Sequence, residues 1–269
     1  MIKIAHEAPK SIFEDVQKVT DYDYALVHLL EEDEEYLTMF EKAIKKGREV
    51  ILDNSIFELE EAFEADRFAL WVERLKPTWY IVPDALENAE KTMKQMADWF
   101  KNYSDVPGKS IGVVQGKTYR EIKECYRAID ELSPCDMIAI SFDYSYYRES
   151  VPHPNKYVSW MLGRVKLLGD LERDGIINKD KPHHLLGASL ATEFKWYVDN
   201  NIYNIRSLDT SNPVVAGLLG YTYNGDFGLD HKPSQLLADL IGAQPDEDAV
   251  ERIMYNTSQF KRIIKRRYW

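Results

Sequence analysis

Cysteine, long apolar runs and positive charge are all scarce in this sequence. The 269 residues include two cysteines, Cys125 and Cys135, too few for a disulfide framework or a four-thiolate zinc site. This scarcity favours a reducing compartment, and we expect a cytoplasmic protein. No stretch approaches the roughly 20 apolar residues that span a membrane, and the N-terminal segment lacks an apolar run of signal-peptide length. We therefore expect no contact with a membrane.

The formal net charge of −11 argues against a broad surface for nucleic acid. Acidic residues are concentrated in two runs, 31–36 and 57–66, and both runs fit solvated helix faces. Basic residues crowd near the end of the sequence, where phosphate contact and an ordinary solvated face are both open interpretations. If the chain binds nucleic acid, we expect the contacts to come from Lys261, Arg262, Lys265, Arg266 and Arg267.

Eight short apolar runs alternate with segments of helical periodicity along the chain. The runs are rich in Ile, Val and Leu, as is typical of strands that are buried on both faces. Two of the intervening segments, 85–103 and 118–132, place their apolar residues on one helical stripe. The candidate strands are residues 2–5, 24–30, 49–54, 79–84, 110–116, 137–142, 183–189 and 205–211.

This alternation predicts an α/β fold with a parallel sheet. Eight strand–helix units in about 250 residues are typical of a (β/α)8 TIM-type barrel. We therefore expect one barrel domain over residues 1–269, with a helical C-terminal segment and no zinc subdomain. An open doubly wound sheet is the alternative, but the segment "AHEAPKS" after the first strand is not a glycine-rich phosphate loop.

Polar residues stand at the ends of five of the candidate strands, and a glycine stands at the end of a sixth. A single aspartate there also fits a helix cap or a turn. Several carboxylates that converge on the C-terminal ends of barrel strands repel one another, however, and that arrangement indicates a functional site. The strand-end residues are Asp53, Asp84, Gln115, Ser141, Gly187 and Asp209.

Carboxylates with an amide suit substitution at a glycosidic carbon, a chemistry that needs no metal or cofactor. One carboxylate attacks C1 of a sugar through an oxocarbenium-like transition state and forms a covalent intermediate. A second carboxylate moves protons. A further carboxylate and an amide can pair with the N–H donors and the acceptors on the edge of a purine.

The ordered set of motifs resembles the tRNA-guanine transglycosylase superfamily, in particular the small phage members that insert 7-deazaguanines into DNA. The resemblance covers roughly residues 50–220. "LDNSIFE" is similar to an Asp-Ser-Gly-Gly-Phe-Gln segment and matches it at Asp53 and Phe57. "LDTSNPVVAGLLG" resembles the segment that carries the nucleophilic aspartate, and Asp209 and Pro213 keep its Asp-to-Pro spacing.

Between these two segments, "IVPDALEN" stands where the family has its base-reading aspartate, and "IGVVQGKTYREIKECYRAI" looks like its Gly-Ile-Val-Gln-Gly stretch. The resemblance implies that Asp209 is the nucleophile and Asp53 the general acid or base. It implies a polynucleotide substrate, phage DNA or else tRNA, and a 7-deazaguanine base, in the host cytoplasm if the chain is phage-encoded. The implied substrate-binding residues are Asp84, Gln115, Gly116, Ser141, Gly187 and Phe57.

The sequence departs from the family at three places. No cysteine follows Cys135, so the family's zinc cluster is missing and we expect no metal. "IAISFDY" lacks both glycines of the Gly-Gly-Leu loop, and Val214 and Val215 replace an arginine. These departures leave open an N-glycosyl hydrolase on the same scaffold and a catalytically silent, nucleic-acid-binding accessory subunit. A second copy of the chain or a separate modification enzyme are the further partners that we consider.

The sequence leaves the roles of two histidines and one loop undecided. His6 follows the first strand, where a site residue and a structural histidine are equally consistent with the pattern. His28 lies inside an apolar run, and we expect a hydrogen-bonded residue of the barrel. The tyrosine-rich segment 141–157 follows the sixth strand and predicts either a loop that stacks on a base or a self-packed lid.

Overall fold

The computed structural model describes residues 2–197, 203–233 and 235–265. Eight parallel strands form a single sheet in the order β1-β8-β7-β6-β5-β4-β3-β2, with helices between successive strands. The predicted TIM-type barrel is therefore confirmed. The strands are β1 (Lys3–Ala5), β2 (Asp23–Leu26), β3 (Val50–Asp53), β4 (Trp79–Ile81), β5 (Lys109–Val114), β6 (Met137–Ser141), β7 (His183–Leu186) and β8 (Ile205–Asp209).

Helices cover the outside of the sheet, and three short 3-10 helices lie at Lys10–Ile12, Ala191–Lys195 and Ala238–Leu240. Within the described ranges, no helix combines the length and the apolar character needed to cross a membrane. The α-helices are α1 (Phe13–Gln17), α2 (Val27–Glu32), α3 (Glu34–Lys45), α4 (Ile56–Leu59), α5 (Ala65–Leu75), α6 (Ala89–Asn102), α7 (Tyr119–Glu131), α8 (Ser145–Ser150), α9 (Lys156–Arg173), α10 (Asn212–Leu218) and α11 (Glu247–Lys265).

The helix α7 shows how the sequence produces this architecture. Its N-cap Thr118 accepts a hydrogen bond from the Glu121 N–H, and the Glu121 carboxylate accepts one from the Thr118 N–H in return. The part of the predicted apolar stripe that lies on the helix, which includes Ile122 and Ile129, is fully buried against the sheet, whereas Leu132, just past the end of the helix, is exposed. The helix thereby begins at a fixed residue and presents one face to strands that are apolar on both sides.

The barrel has one seam, between β1 and β2. In the described part of the chain no strand ladder joins this pair, and Asp21, just before β2, takes the place of the ladder. The Asp21 N–H donates to the Ile4 carbonyl at 2.8 Å, and the Ile4 N–H donates to Asp21 Oδ2 at 3.0 Å. From α11, the Lys261 ammonium donates to Asp21 Oδ1 and to the Val19 carbonyl, at 3.2 and 3.0 Å. The last helix thus stabilises the closure of the barrel.

The second predicted strand is shorter than expected. Residues 24–30 were expected to form one strand, but β2 ends at Leu26 and α2 begins at Val27. A continuous apolar run does not by itself distinguish a buried strand from a buried helix. His28 therefore lies on α2 and not on a strand of the barrel. Burial on this helix lowers the pKa of His28, and its Nδ1 has no hydrogen-bond partner among the described residues.

Candidate active site

A cavity of about 280 Å³ opens at the C-terminal ends of the strands. Each of the six strand-end residues singled out from the sequence lines it, and so does Phe57, which is 42% exposed at its rim. Gly116 is placed outside the lining. A Cβ atom there would lie 2.8 Å from the backbone nitrogen of Ile122, so this glycine permits close packing of α7 on β5. The strand-end residues in the lining are Asp53, Asp84, Gln115, Ser141, Gly187 and Asp209.

Asp209 is held through one of its two carboxylate oxygens. Oδ1 accepts from the Gly187 N–H at 3.1 Å and lies 3.1 Å from Nε2 of His184. Oδ2 has no hydrogen bond to any residue in the described ranges. A carboxylate fixed at one oxygen and open to a cavity at the other is arranged for attack on an electrophilic carbon.

The hydrogen bonds of His184 fix the orientation of its ring. The imidazole is fully buried, with Nδ1 3.0 Å from the hydroxyl of Ser207 and Nε2 at Asp209. Nε2 donates to the carboxylate of Asp209, and Nδ1 shares a hydrogen bond with the Ser207 hydroxyl. His184 therefore orients the carboxylate, and its own orientation is set by Ser207.

Gly187 is fixed from the opposite side by a buried guanidinium. Arg164 on α9 donates to the carbonyl groups of Gly187 at 2.9 Å and Leu186 at 3.0 Å, and forms a fully buried ion pair with Glu193 at 2.7 Å. The φ of Gly187 is +62°, and a Cβ there would lie 2.4 Å from the ring of Phe142. Only glycine can adopt this conformation here and still aim its N–H at Asp209.

Asp53 is in a different environment from Asp209. Its Oδ2 accepts from the Tyr24 hydroxyl and its Oδ1 from the N–H of Ser55, which adopts a left-handed conformation at φ 60°. Burial raises the pKa of Asp53 to about 8, and the nearby Glu58 carboxylate adds to the rise. The raised pKa favours the protonated form of Asp53, the form that a general acid requires.

Two further carboxyl groups in the lining escaped the sequence interpretation. Glu7 stands two residues beyond β1, and burial together with Asp209 raises its pKa well above the ordinary range. Burial also raises the pKa of Glu58 to about 7. Glu58 lies in the acidic run 57–66 that we had interpreted as a solvated face, because the sequence does not show that α4 turns it toward the cavity.

Asp84 lies between two amide side chains. Asn54 Nδ2 donates to Oδ1 of Asp84 at 2.8 Å, and Gln115 Nε2 donates to Oδ2 at 2.7 Å. The orientation of both amides is fixed, because Asn54 Oδ1 accepts from the Ile56 N–H and Gln115 Oε1 accepts from the Glu87 N–H. Burial raises the pKa of Asp84 to about 6. Asn54, which lies between the two matched residues of "LDNSIFE", thus takes part in the polar cluster that the sequence had assigned to the purine.

The segment 141–157 is largely packed on itself. Tyr144 and Tyr147 are buried and donate to the carbonyl groups of Val114 and Ser141. Tyr157 lines the cavity, and the Ser141 hydroxyl donates to Asp143 at 2.9 Å. The segment therefore combines a packed interior, as expected of a self-packed lid, with a residue in the cavity wall, and stacking on a base stays a prediction.

His6 makes contacts that fit a structural role. Its Nδ1 donates to the Thr210 carbonyl at 2.9 Å, its ring contacts Phe260 edge-on, and burial lowers its pKa to about 4.

The basic segment lies apart from the cavity in its described part, since Lys261 is bound at the start of β2 and Arg262 donates to the Gly225 carbonyl. Lys265 is the last residue of α11, and Arg266 and Arg267 lie outside the described residues.

Neither a metal-binding arrangement of side chains nor a similarity to known proteins indicates what this cavity binds. Within residues 2–197, 203–233 and 235–265, no group of three His, Cys, Asp or Glu side chains is arranged to hold a metal ion. Neither the models of protein families nor the curated proteins compared with this chain match it.

Proposed function

We propose that this protein is a base-exchange transglycosylase, which replaces guanine with a 7-deazaguanine in a polynucleotide, with phage DNA as the preferred substrate. The observation that carries the proposal is the contrast between two strand-end carboxyl groups of one cavity. Asp209 has one oxygen held by donors and the other open to the cavity, whereas burial raises the pKa of Asp53 and favours its protonated form. A nucleophile and a proton donor are the two groups that base exchange requires.

In the first half-reaction, Oδ2 of Asp209 attacks C1′ of the target nucleotide. The bond between C1′ and the guanine nitrogen breaks, and its electron pair leaves with the base. Asp53 donates its proton to that base, so guanine departs neutral and Asp53 becomes a carboxylate. The product is a glycosyl ester between C1′ and Asp209.

In the second half-reaction, the ionised Asp53 takes a proton from the incoming 7-deazaguanine, whose nitrogen attacks C1′. The ester bond to Oδ2 breaks, and the electron pair returns to the carboxylate of Asp209. The Gly187 N–H and the His184 Nε2–H then stabilise this carboxylate through Oδ1. Both carboxyl groups are thereby restored to their starting states.

The polar cluster at Asp84 fits the edge of a purine. A guanine presents N–H donors that suit a carboxylate and an acceptor that suits an amide. Asp84 and Gln115 provide this pair in a fixed orientation, with Asn54 as their neighbour. At the rim, the rings of Phe57 and Phe142 lie 5.9 Å apart between centroids and offer apolar faces for the base.

The test is an exchange assay with labelled guanine. We expect the wild type to incorporate the label into a guanine-containing DNA, with tRNA as the parallel substrate, and to form a covalent complex that survives a denaturing gel. Asp209→Asn keeps the shape of the side chain but offers a neutral amide. We expect at least about a thousandfold loss of exchange, or about 4 kcal/mol of barrier, and no covalent band.

The outcomes separate the rival functions. Release of guanine without incorporation would indicate an N-glycosyl hydrolase, in which water replaces the incoming base. A covalent band that persists in Asp209→Asn would move the role of nucleophile to another carboxyl group, with Asp53 the first to examine. Absence of band, exchange and release with every substrate supplied would favour an accessory subunit that binds nucleic acid.

A further inference from the structure

We propose that Lys156 and Lys232 bind the backbone phosphates of the nucleic acid beside the nucleotide that enters the cavity. This inference rests on the proposed function and assigns its substrate class, a polynucleotide and not a free nucleoside. It also assigns phosphate contacts to the rim of the cavity, separate from those predicted for the basic C-terminal segment.

Both lysines lie over aromatic rings of one cavity wall. The Lys232 ammonium is 3.7 Å from the ring centroid of Phe142, and the Lys156 ammonium is 5.0 and 5.3 Å from the rings of Tyr157 and Trp160. The Trp160 ring in turn contacts those of Phe142 and Tyr157, each at 5.7 Å. We call these five residues the lysine wall, and each of them lines the cavity.

A side-chain hydrogen bond connects the two chain segments that carry the lysines. Asn155, the N-cap of α9, accepts from the Tyr157 N–H at 2.9 Å, and its Nδ2 donates to the Asp230 carbonyl at 2.9 Å. Lys156 is the first residue of that 18-residue helix. The helix N-terminus adds partial positive charge at the same place, which favours an anion.

Within the described residues, both ammonium groups contact aromatic rings but no anion. No carboxylate there lies within ion-pair distance of Lys156 or Lys232, and neither lysine donates a hydrogen bond. The carboxyl groups of Asp143, Asp209 and Glu7 exert attraction on Lys232 from farther away, and burial nevertheless lowers its pKa to about 8. Lys156 is exposed and Lys232 is partly exposed. Both ammonium groups can therefore reach a phosphate and donate charge-assisted hydrogen bonds to it.

The geometry of the proposed reaction requires an anion at this rim. A nucleotide whose C1′ meets Asp209 directs its base into the cavity and leaves its phosphates outside. The cavity contains six carboxyl groups, and those that are ionised repel a polyanion unless cations stand at its entrance. Those cations are on the lysine wall, since the Lys261 ammonium is bound at the opposite ends of the strands. The carboxyl groups are those of Glu7, Asp53, Glu58, Asp84, Asp143 and Asp209.

A binding experiment tests this proposal without depending on catalysis. The probe is a fluorescent guanine-containing oligodeoxynucleotide, and its partner probe carries uncharged methylphosphonates on both sides of the target guanine. The proteins are the wild type, Lys156→Gln/Lys232→Gln, and the control Lys91→Gln/Lys101→Gln, which removes the same charge from exposed positions on α6. Affinity is measured for each pair at several salt concentrations.

We expect the wild type to bind the methylphosphonate probe at least about tenfold more weakly than the natural one, and the lysine-wall variant to bind both equally. The salt slope should fall by about 1.4 in that variant, since each contact to a single strand contributes about 0.7. The proposal would be overturned if the lysine replacements and the methylphosphonates weakened binding independently, so that their fold-losses multiply. It would also be overturned if the lysine-wall variant bound like the control variant, or if the wild type bound neither probe. Because binding needs no base exchange, an inactive enzyme that shows this pattern would refute the proposed function alone.

Discussion

Replacement of Asp53 by Asn should stabilise the protein, and the gain should grow as the pH rises. Burial raises the pKa of Asp53 from 3.8 to about 8. Between these two values the folded protein retains a proton that the unfolded chain has already released. The free energy of unfolding of the wild type therefore decreases with rising pH across this window, and the contribution of this group is lost above about pH 8. An amide does not titrate and lacks this dependence.

The size of this stability difference follows from the one proton that the folded protein retains at Asp53. Full retention of a single proton changes the free energy of unfolding by about 1.4 kcal/mol per pH unit. The real change is smaller, because the cavity is open to solvent, which screens the charge. We expect the stability difference between Asp53→Asn and the wild type to grow by about 1–2 kcal/mol from pH 5 to pH 7.

Urea unfolding at pH 5, 6 and 7 measures this difference for the wild type, Asp53→Asn and Asp98→Asn. The last variant removes the same charge from an exposed position on α6 and serves as the control. For each variant, the difference in the free energy of unfolding from the wild type is determined at each pH. The change of this difference with pH is then compared between the two variants. Equal changes in the two variants would refute the buried, protonated carboxyl group, and Asp53 would lose its role as the proton donor at neutral pH.

Three further predictions concern the neighbour of the nucleophile, the basic segment and zinc. His184→Phe removes a hydrogen-bond donor to the Asp209 carboxylate that contributes about 1.5–3 kcal/mol, so the ester should break down more slowly and the covalent band should intensify. His184→Gln keeps a donor and should accumulate less of the covalent complex. A weaker band with His184→Phe than with the wild type would contradict this reasoning. Joint replacement of Lys265, Arg266 and Arg267 by Ala should lower the salt slope of polynucleotide binding by about one unit per phosphate contact, and an unchanged slope would remove this segment from the interface. Metal analysis should find no stoichiometric zinc, because the cysteine cluster of the transglycosylase family is missing; one zinc per chain would overturn that expectation.

The barrel and the strand-end residues were predictable because both depend on local order along the chain. Asp209 stands directly after a buried apolar run, and the C-terminal ends of parallel strands meet at one side of a barrel. The same reasoning placed Asp53, Asp84 and Gln115 together, since each follows its own strand.

The remaining cavity residues carry no comparable local signal. Asn54 meets Asp84 across 30 positions of the sequence. Glu58 lies in an acidic run whose composition indicates solvent exposure. Lys232 belongs to a segment without strand or helix periodicity, and only the folded chain brings it over the ring of Phe142. Such residues reach the site through tertiary packing, which the periodicity of one sequence does not encode.

The seam between β1 and β2 imposes an order of events on folding. The two hydrogen bonds between Ile4 and Asp21 link residues 17 positions apart, whereas the cation at Asp21 arrives from Lys261, 240 positions away. Contacts that close so long a loop form late, because their entropic cost must be met before they contribute. The seven strands β2 to β8 pair with their neighbours in sequence, and the barrel closes last, when β1 pairs with β8 and the helix from the far end of the chain reaches Asp21.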